Sequence, residues 1–235
     1  NSSVQQCRMD LYDLTSATAP AKVGSLPLDG PVSHFEVRGD RLLALGSRYD
    51  AFQSRVQVSL YDISSLAGTR LLSVVALTGG NTSTEAQNDY KAFKVLDELG
   101  MILLPLSWYV NNGAGFQSYH NGAQIIDWQA DTLTERGRVE QSGAVERAIA
   151  FKDRVISIST EQIQVIDASD RAAPVATAHL FLVRNVVDVF DIADHQVQLG
   201  YDEGDSSFRF FVLPFGADDV ADSIAELPVP ISASF

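Results

Sequence analysis

The residues best suited to contact chemistry sit in one stretch, Trp108–Gly122, which mixes large aromatics with glycine and asparagine. Trp108, Tyr109, Phe116 and Tyr119 offer broad apolar area with polar tips, and His120 stands beside them as a further contact residue. Such a set suits recognition of a ligand or partner. The segment Asn111-Asn112-Gly113-Ala114-Gly115 lacks the third glycine and the following helix of a dinucleotide fingerprint. Its glycines therefore read as turn formers. Neither a Gly-x-Ser-x-Gly elbow nor a His-Glu-x-x-His helix occurs in the sequence. A second long connection, residues 78–88, is expected on the same face as 108–122.

A weaker set is acidic. Tyr201-Asp202-Glu203-Gly204-Asp205 forms a tight turn, and Asp202, Glu203 and Asp205 could offer oxygens to calcium, although no distal bidentate glutamate completes a calcium loop. Apart from that calcium, no cofactor is expected. The histidines His34, His120, His179 and His195 show no metal-ligand spacing. Cys7 is the only cysteine, so it is either free or bonded to a segment outside this sequence.

These residues must be placed by the elements around them, and those elements repeat. Leu11-Tyr12-Asp13-Leu14, Leu60-Tyr61-Asp62-Ile63, Ile125-Ile126-Asp127-Trp128 and Val165-Ile166-Asp167-Ala168 each end an apolar strand on aspartate. Val212-Leu213-Pro214-Phe215 is a degenerate fifth copy. A polar turn and a second strand follow each, and hairpins such as Phe35–Leu45 and Ala148–Ser159 lie between copies. The aspartates are expected to close their own turns. Four short strands per unit, recurring in the same order, predict an all-β protein built as a β-propeller. A β-sandwich would not account for the recurrence.

The repeated step, as in Leu60-Tyr61-Asp62-Ile63-Ser64, resembles the repeats of exported bacterial β-propellers distantly related to WD40 domains. Asn88-Asp89-Tyr90-Lys91-Ala92-Phe93 followed by Met101-Ile102-Leu103-Leu104-Pro105 resembles the secreted bacterial C-terminal β-propeller family. The resemblance implies the fold and an exported setting (extracellular, periplasmic or cell surface). It carries no activity.

Residues 1–235 read as one propeller domain or fragment: a half blade at 4–30 and four-stranded blades at 32–77, 89–140, 145–182 and 186–230. The half blade holds only the two outer strands, so the expectation is a larger propeller, completed by upstream blades or by another polypeptide, because an open half blade leaves sheet edges unpaired. A strained five-bladed ring is the alternative. The formal net charge of −13 argues against nucleic acid and anionic membrane surfaces, and no run of about 18 apolar residues suggests membrane insertion. The expected function is a non-catalytic binding or assembly module of an exported protein, with contacts mainly through 78–88 and 108–122. The alternative is a hydrolase or lyase using carboxylates at a central channel.

Overall fold

A computed structural model describes residues 7–28, 30–50, 53–111, 117–151, 154–182, 185–202, 207–217 and 223–229. Strands β1 (Arg8–Asp13) and β2 (Ala21–Pro27) form a two-stranded sheet. A four-stranded antiparallel meander follows, of β3 (Val32–Arg38), β4 (Arg41–Asp50), β5 (Gln53–Asp62) and β6 (Arg70–Ala76). The second full sheet has β7 (Thr82–Ser83), β8 (Lys94–Leu96), β9 (Met101–Asn111), β10 (Gln117–Gln129) and β11 (Thr132–Glu140). The third holds β12 (Val145–Phe151), β13 (Arg154–Ser159), β14 (Gln162–Asp167) and β15 (Val175–Phe181). The fourth holds β16 (Asn185–Ile192), β17 (His195–Asp202), β18 (Ser207–Pro214) and β19 (Ala225–Pro228). Among the described residues the only helical pieces are short 3-10 turns, and no helix is long and apolar enough to cross a membrane.

Sheets pack face to face, so their middle strands are covered on both sides. In β9, Ile102, Leu104, Leu106 and Trp108 join Leu43, Leu45, Val58 and Leu60 in a core shared with the first full sheet. Met101 and Leu103 turn the other way, into a core with Ala148, Val155 and Ile166 of the third sheet. Strand β4 does the same, sending Leu42 and Ala44 toward Met9, Leu26 and Leu28 of the β1–β2 pair. Successive side chains of a strand point to opposite faces, so double coverage demands the unbroken apolar runs Leu42–Leu45 and Met101–Leu106. Among the described residues the fourth sheet shares no such core with the third. Val175 and Leu180 of β15 and Val187, Val189 and Ile192 of β16 remain exposed.

The inner strand of the second sheet is not continuous. It is broken into β8, opposite Met101–Leu103, and β7, opposite Ser107–Trp108. Pro105 stands in the gap. Tyr109 N donates to Asn81 O at 3.0 Å, so by alternation the odd residues of β9 present their N–H groups to the inner strand, and Pro105 has none to give. The chain fills the gap with two 3-10 turns, capped by Thr84 accepting from Ala86 N at 3.2 Å and Asp89 accepting from Lys91 N at 2.9 Å.

Three of the repeated aspartates close Asx turns as expected. Asp13 accepts from Thr15 N at 2.8 Å, Asp62 from Ser64 N at 3.0 Å, and Asp167 from Ser169 N at 2.9 Å. The hydroxyl and N–H of Ser64, with Arg70 and Arg41 adding, hold the Asp62 carboxyl down to about 2. Asp127 behaves differently. It is buried, Trp128-Gln129 supplies no turn donor at the matching place, and Met101 faces it across the ladder where Arg41 faces Asp62 and Arg154 faces Asp167. Its cations come from farther away: Arg136 of β11, and Arg171 from the third sheet's corner at 2.7 Å. Arg171 also donates to Leu99 O at 2.6 Å and Gly100 O at 3.2 Å, fastening the third sheet to the second. Burial, the largest single influence, pushes the Asp127 carboxyl up, yet the two guanidiniums together hold it below the ordinary carboxylate range.

A group with a depressed folded pKa contributes stability above its unfolded pKa of about 4 and loses that contribution as pH falls through the folded value. Replacing Arg171→Ala removes one of two charge-assisted bonds from a buried carboxylate and is expected to cost about 1.5–3 kcal/mol at pH 7. Urea denaturation from pH 7 downward should also show a smaller acid loss in the variant, complete at a higher pH than in the wild type, because Asp127 then titrates nearer its ordinary range. A midpoint and acid limb unchanged from wild type would remove Arg171 as the inter-sheet clasp.

Candidate functional site: the β9–β10 hairpin and the recess beside it

The stretch read as an open loop is largely a hairpin. Strands β9 and β10 stay paired beyond the sheet body, in the register Trp108↔His120, Tyr109↔Tyr119, Val110↔Ser118 and Asn111↔Gln117. Polar and asparagine-rich sequence suggested a loop, but cross-strand aromatic pairing carries the ladder outward. Phe116 and the tip lie outside the described residues.

The hairpin has two chemically distinct faces. On one, the Trp108 and His120 rings stack with centroids 5.5 Å apart and planes 12° from parallel, and the Arg138 guanidinium lies 4.9 Å from the Trp108 centroid. Trp108 is buried, closing the top of the core shared with the first sheet. Burial lowers the Arg138 pKa, an effect the Glu135 carboxylate opposes. Arg138 donates to Thr78 O at 2.8 Å and to Glu135 at 3.0 Å. On the other face, Tyr109 and Tyr119 contact at 5.0 Å between centroids and stay 40% and 51% exposed. The structure thus brings Trp108, Tyr109, Tyr119 and His120 onto one hairpin, split two and two.

Segment 78–88 meets the hairpin base and is mostly fastened down. Thr82 Oγ1 accepts from Val56 N at 2.7 Å and Asn81 Oδ1 from Ser54 N at 2.8 Å. Thr82, Thr84 and Ala86 are buried, while Thr78, Gly79, Ser83, Glu85 and Asn88 are exposed.

Strand β11 ends before β10 does. Glu140 pairs with Gly122, and Gln141 N donates to Asn121 O at 2.9 Å. Beyond it, residues 117–120 of β10 run on past the end of β11. Since Asn121 turns its backbone groups toward β11, alternation turns those of Tyr119 the same way. A recess of about 310 Å³ lies there, lined by residues that include Ser118, His120, Glu140, Gln141, Gly143 and Gln162. Gln141 is buried and donates to Gln162 O at 2.8 Å, tying the recess floor to the third sheet. Gly143 makes the turn above it with φ +74, where a Cβ would come within 2.7 Å of Thr160 Oγ1.

At the recess wall, His120 contacts Ser118 Oγ through Nε2 at 3.0 Å and Glu140 through Nδ1. Ser118 and Glu140 were not singled out from sequence. Ser-x-His on a strand does put both side chains on one face, but Glu140 lies twenty residues away and only the β10–β11 register brings it close.

Asp202, Glu203 and Asp205, the acidic set, lie outside the described residues as far as their side chains are concerned. Among the described residues no group of three or more histidine, cysteine or acidic side chains could hold a metal ion. Cys7 is a free, half-buried thiol, its carbonyl accepting from Leu28 N at 2.9 Å. His34 and His195 each face a carboxylate, of Glu36 and Asp194. His179 belongs to β15.

A family model described as "Beta propeller domain" matches residues 11–171. No curated protein matches the chain.

Burial separates Trp108 from the exposed Tyr109 and Tyr119. Trp108→Ala is expected to cost about 3–5 kcal/mol in urea denaturation. Tyr109→Ala and Tyr119→Ala should each stay within about 1 kcal/mol of wild type, as exposed positions do. A Tyr119→Ala loss as large as that of Trp108→Ala would make the exposed pair part of the fold.

Proposed function

The chain belongs to the beta-propeller domain family, whose sheets serve as a general binding or scaffold module, and from that premise we propose that it binds a ligand or protein partner through the β9–β10 hairpin. The observation that carries this reading is the solvent-facing Tyr109–Tyr119 pair beside a recess of about 310 Å³. Two exposed aromatics on a rigid ladder contribute contact area at low entropic cost, and a pocket at the hairpin's open edge offers polar groups for orientation. Ser83, Glu85 and Asn88 add a polar rim from the neighbouring segment. A net charge of −13 favours a cationic or neutral partner over nucleic acid. It also suits an extracellular, periplasmic or cell-surface setting, which this reading retains.

An assembly role accompanies binding in this proposal. Strand β1 pairs with β2 alone among the described residues, and two strands are fewer than an independent sheet needs. The outer edge of β1 is where further strands, from another polypeptide or from additional blades, would complete the propeller.

Arrays of immobilised peptides and glycans, probed with the wild-type chain and with the Tyr109→Ala/Tyr119→Ala double variant, test the binding reading. At least one ligand class retained by the wild type should weaken about tenfold or more in the variant, the size expected when a contact aromatic is removed. Equal retention of every ligand by both proteins would dismiss the hairpin as the contact face.

A further inference from the structure

We propose that the recess beside β10 is also an acyl-transfer site, with Ser118 as nucleophile, His120 as general base and Glu140 as the carboxylate that orients it. The proposal rests on the recess being a binding site and adds chemistry to it. Three side chains from two strands meet in the order that activates a serine. Ser118 Oγ lies 3.0 Å from His120 Nε2, and His120 Nδ1 faces a Glu140 carboxylate oxygen within hydrogen-bond reach. A carboxylate accepts only, so Nδ1 carries the proton, and Nε2 is left as the acceptor facing the hydroxyl. The imidazole plane is held by the Trp108 ring stacked against it. This is the nucleophile–base–orienter arrangement that defines activated serines by geometry rather than by sequence order.

Two further features of the same place fit the chemistry. All three residues line the recess, so a substrate seated there reaches Ser118. The residue after the nucleophile is Tyr119, whose N–H the register turns to the recess side of β10. A backbone N–H at that position is the kind of donor that stabilises the oxyanion of acyl transfer. The recess volume of about 310 Å³ and its lining by Gln141, Ser142 and Gln162 suit a short, polar acyl ester.

Ser118 Oγ attacks the ester carbonyl carbon while its proton passes to His120 Nε2, and the carbonyl π electrons move to the oxygen, which the Tyr119 N–H receives. Collapse reforms the carbonyl and breaks the bond to the alkoxy oxygen, which takes the proton from Nε2 and leaves as an alcohol. Water then repeats the sequence on the acyl-serine, releasing a carboxylic acid and restoring Ser118. Glu140 touches no reacting atom and acts as a positioning residue.

The test treats the full chain with a fluorophosphonate probe and with p-nitrophenyl acetate. One probe per chain should attach, mapped by peptide mass spectrometry to Ser118. Ester hydrolysis should fall about 100-fold or more in Ser118→Ala and His120→Ala, the usual size of general-base effects. Glu140→Gln should lower the maximal labelling rate about tenfold while leaving the probe concentration for half-maximal rate unchanged, a split that a loss of folding would not give. No labelling of wild-type chain, labelling at another residue, or full hydrolysis by Ser118→Ala would overturn the proposal, and the wild-type mapping decides even where a variant fails to fold. An unlabelled chain that still discriminates array ligands through Tyr109 and Tyr119 leaves the binding reading standing and removes this one. A labelled Ser118 with no array ligand does the reverse.

Discussion

Coverage of β9 on both faces is the constraint on which the rest of the second sheet depends. Ile102, Leu104, Leu106 and Trp108 are buried toward the first full sheet, Met101 and Leu103 toward the third. A strand gripped in this way holds its register firmly, because a slip of one residue would exchange the two sets. It can then bear Pro105 at its centre and lose one inner-strand bond, since packing rather than the ladder holds it there. It also supports the hairpin that rises from its end. Trp108 is the hinge between these roles, its ring closing the core below and stacking on His120 above.

Electrostatics ties neighbouring sheets where apolar contact ends. An aspartate near the end of the third strand recurs in the first three full sheets, yet its surroundings differ. Where an arginine faces it across the ladder and a serine follows, as at Asp62 and Asp167, the charge is satisfied within its own sheet. Where Met101 replaces the arginine, to fill the core with the third sheet, Asp127 recruits Arg171 from that sheet instead. One substitution thus links hydrophobic packing and ion pairing across the same boundary. Arg41 reaches Asp131 of the second sheet at 2.7 Å in a comparable way.

Strand order and the four-strand repeat were legible because alternation, Asp turns and Gly-Asp or Lys-Asp hairpins are local signals. The split inner strand was not, although Pro105 was visible, since its effect depends on which edge of β9 the missing N–H faces. Residues 108–122 read as a loop because asparagine and glycine outweigh strand formers there, and only pairing across the hairpin shows otherwise. Four of the aromatic and histidine residues chosen from that stretch, Trp108, Tyr109, Tyr119 and His120, do come together. Their division between two faces follows from odd and even positions that a loop reading could not assign. Ser118 and Glu140 stayed hidden because proximity between strands is set by register, which the sequence does not print.

In the proposed binding role, the edge of β10 beyond Asn121 is where the chain meets its ligand or partner. Residue-resolved amide hydrogen exchange of the isolated chain tests that directly. His120 N–H, pointing to β9, should be protected, while Tyr119 N–H, one residue away and turned to the recess, should exchange orders of magnitude faster, as an unpaired solvent-facing amide does. Equal, slow exchange at both positions would mean that the edge is already covered and would contradict the account.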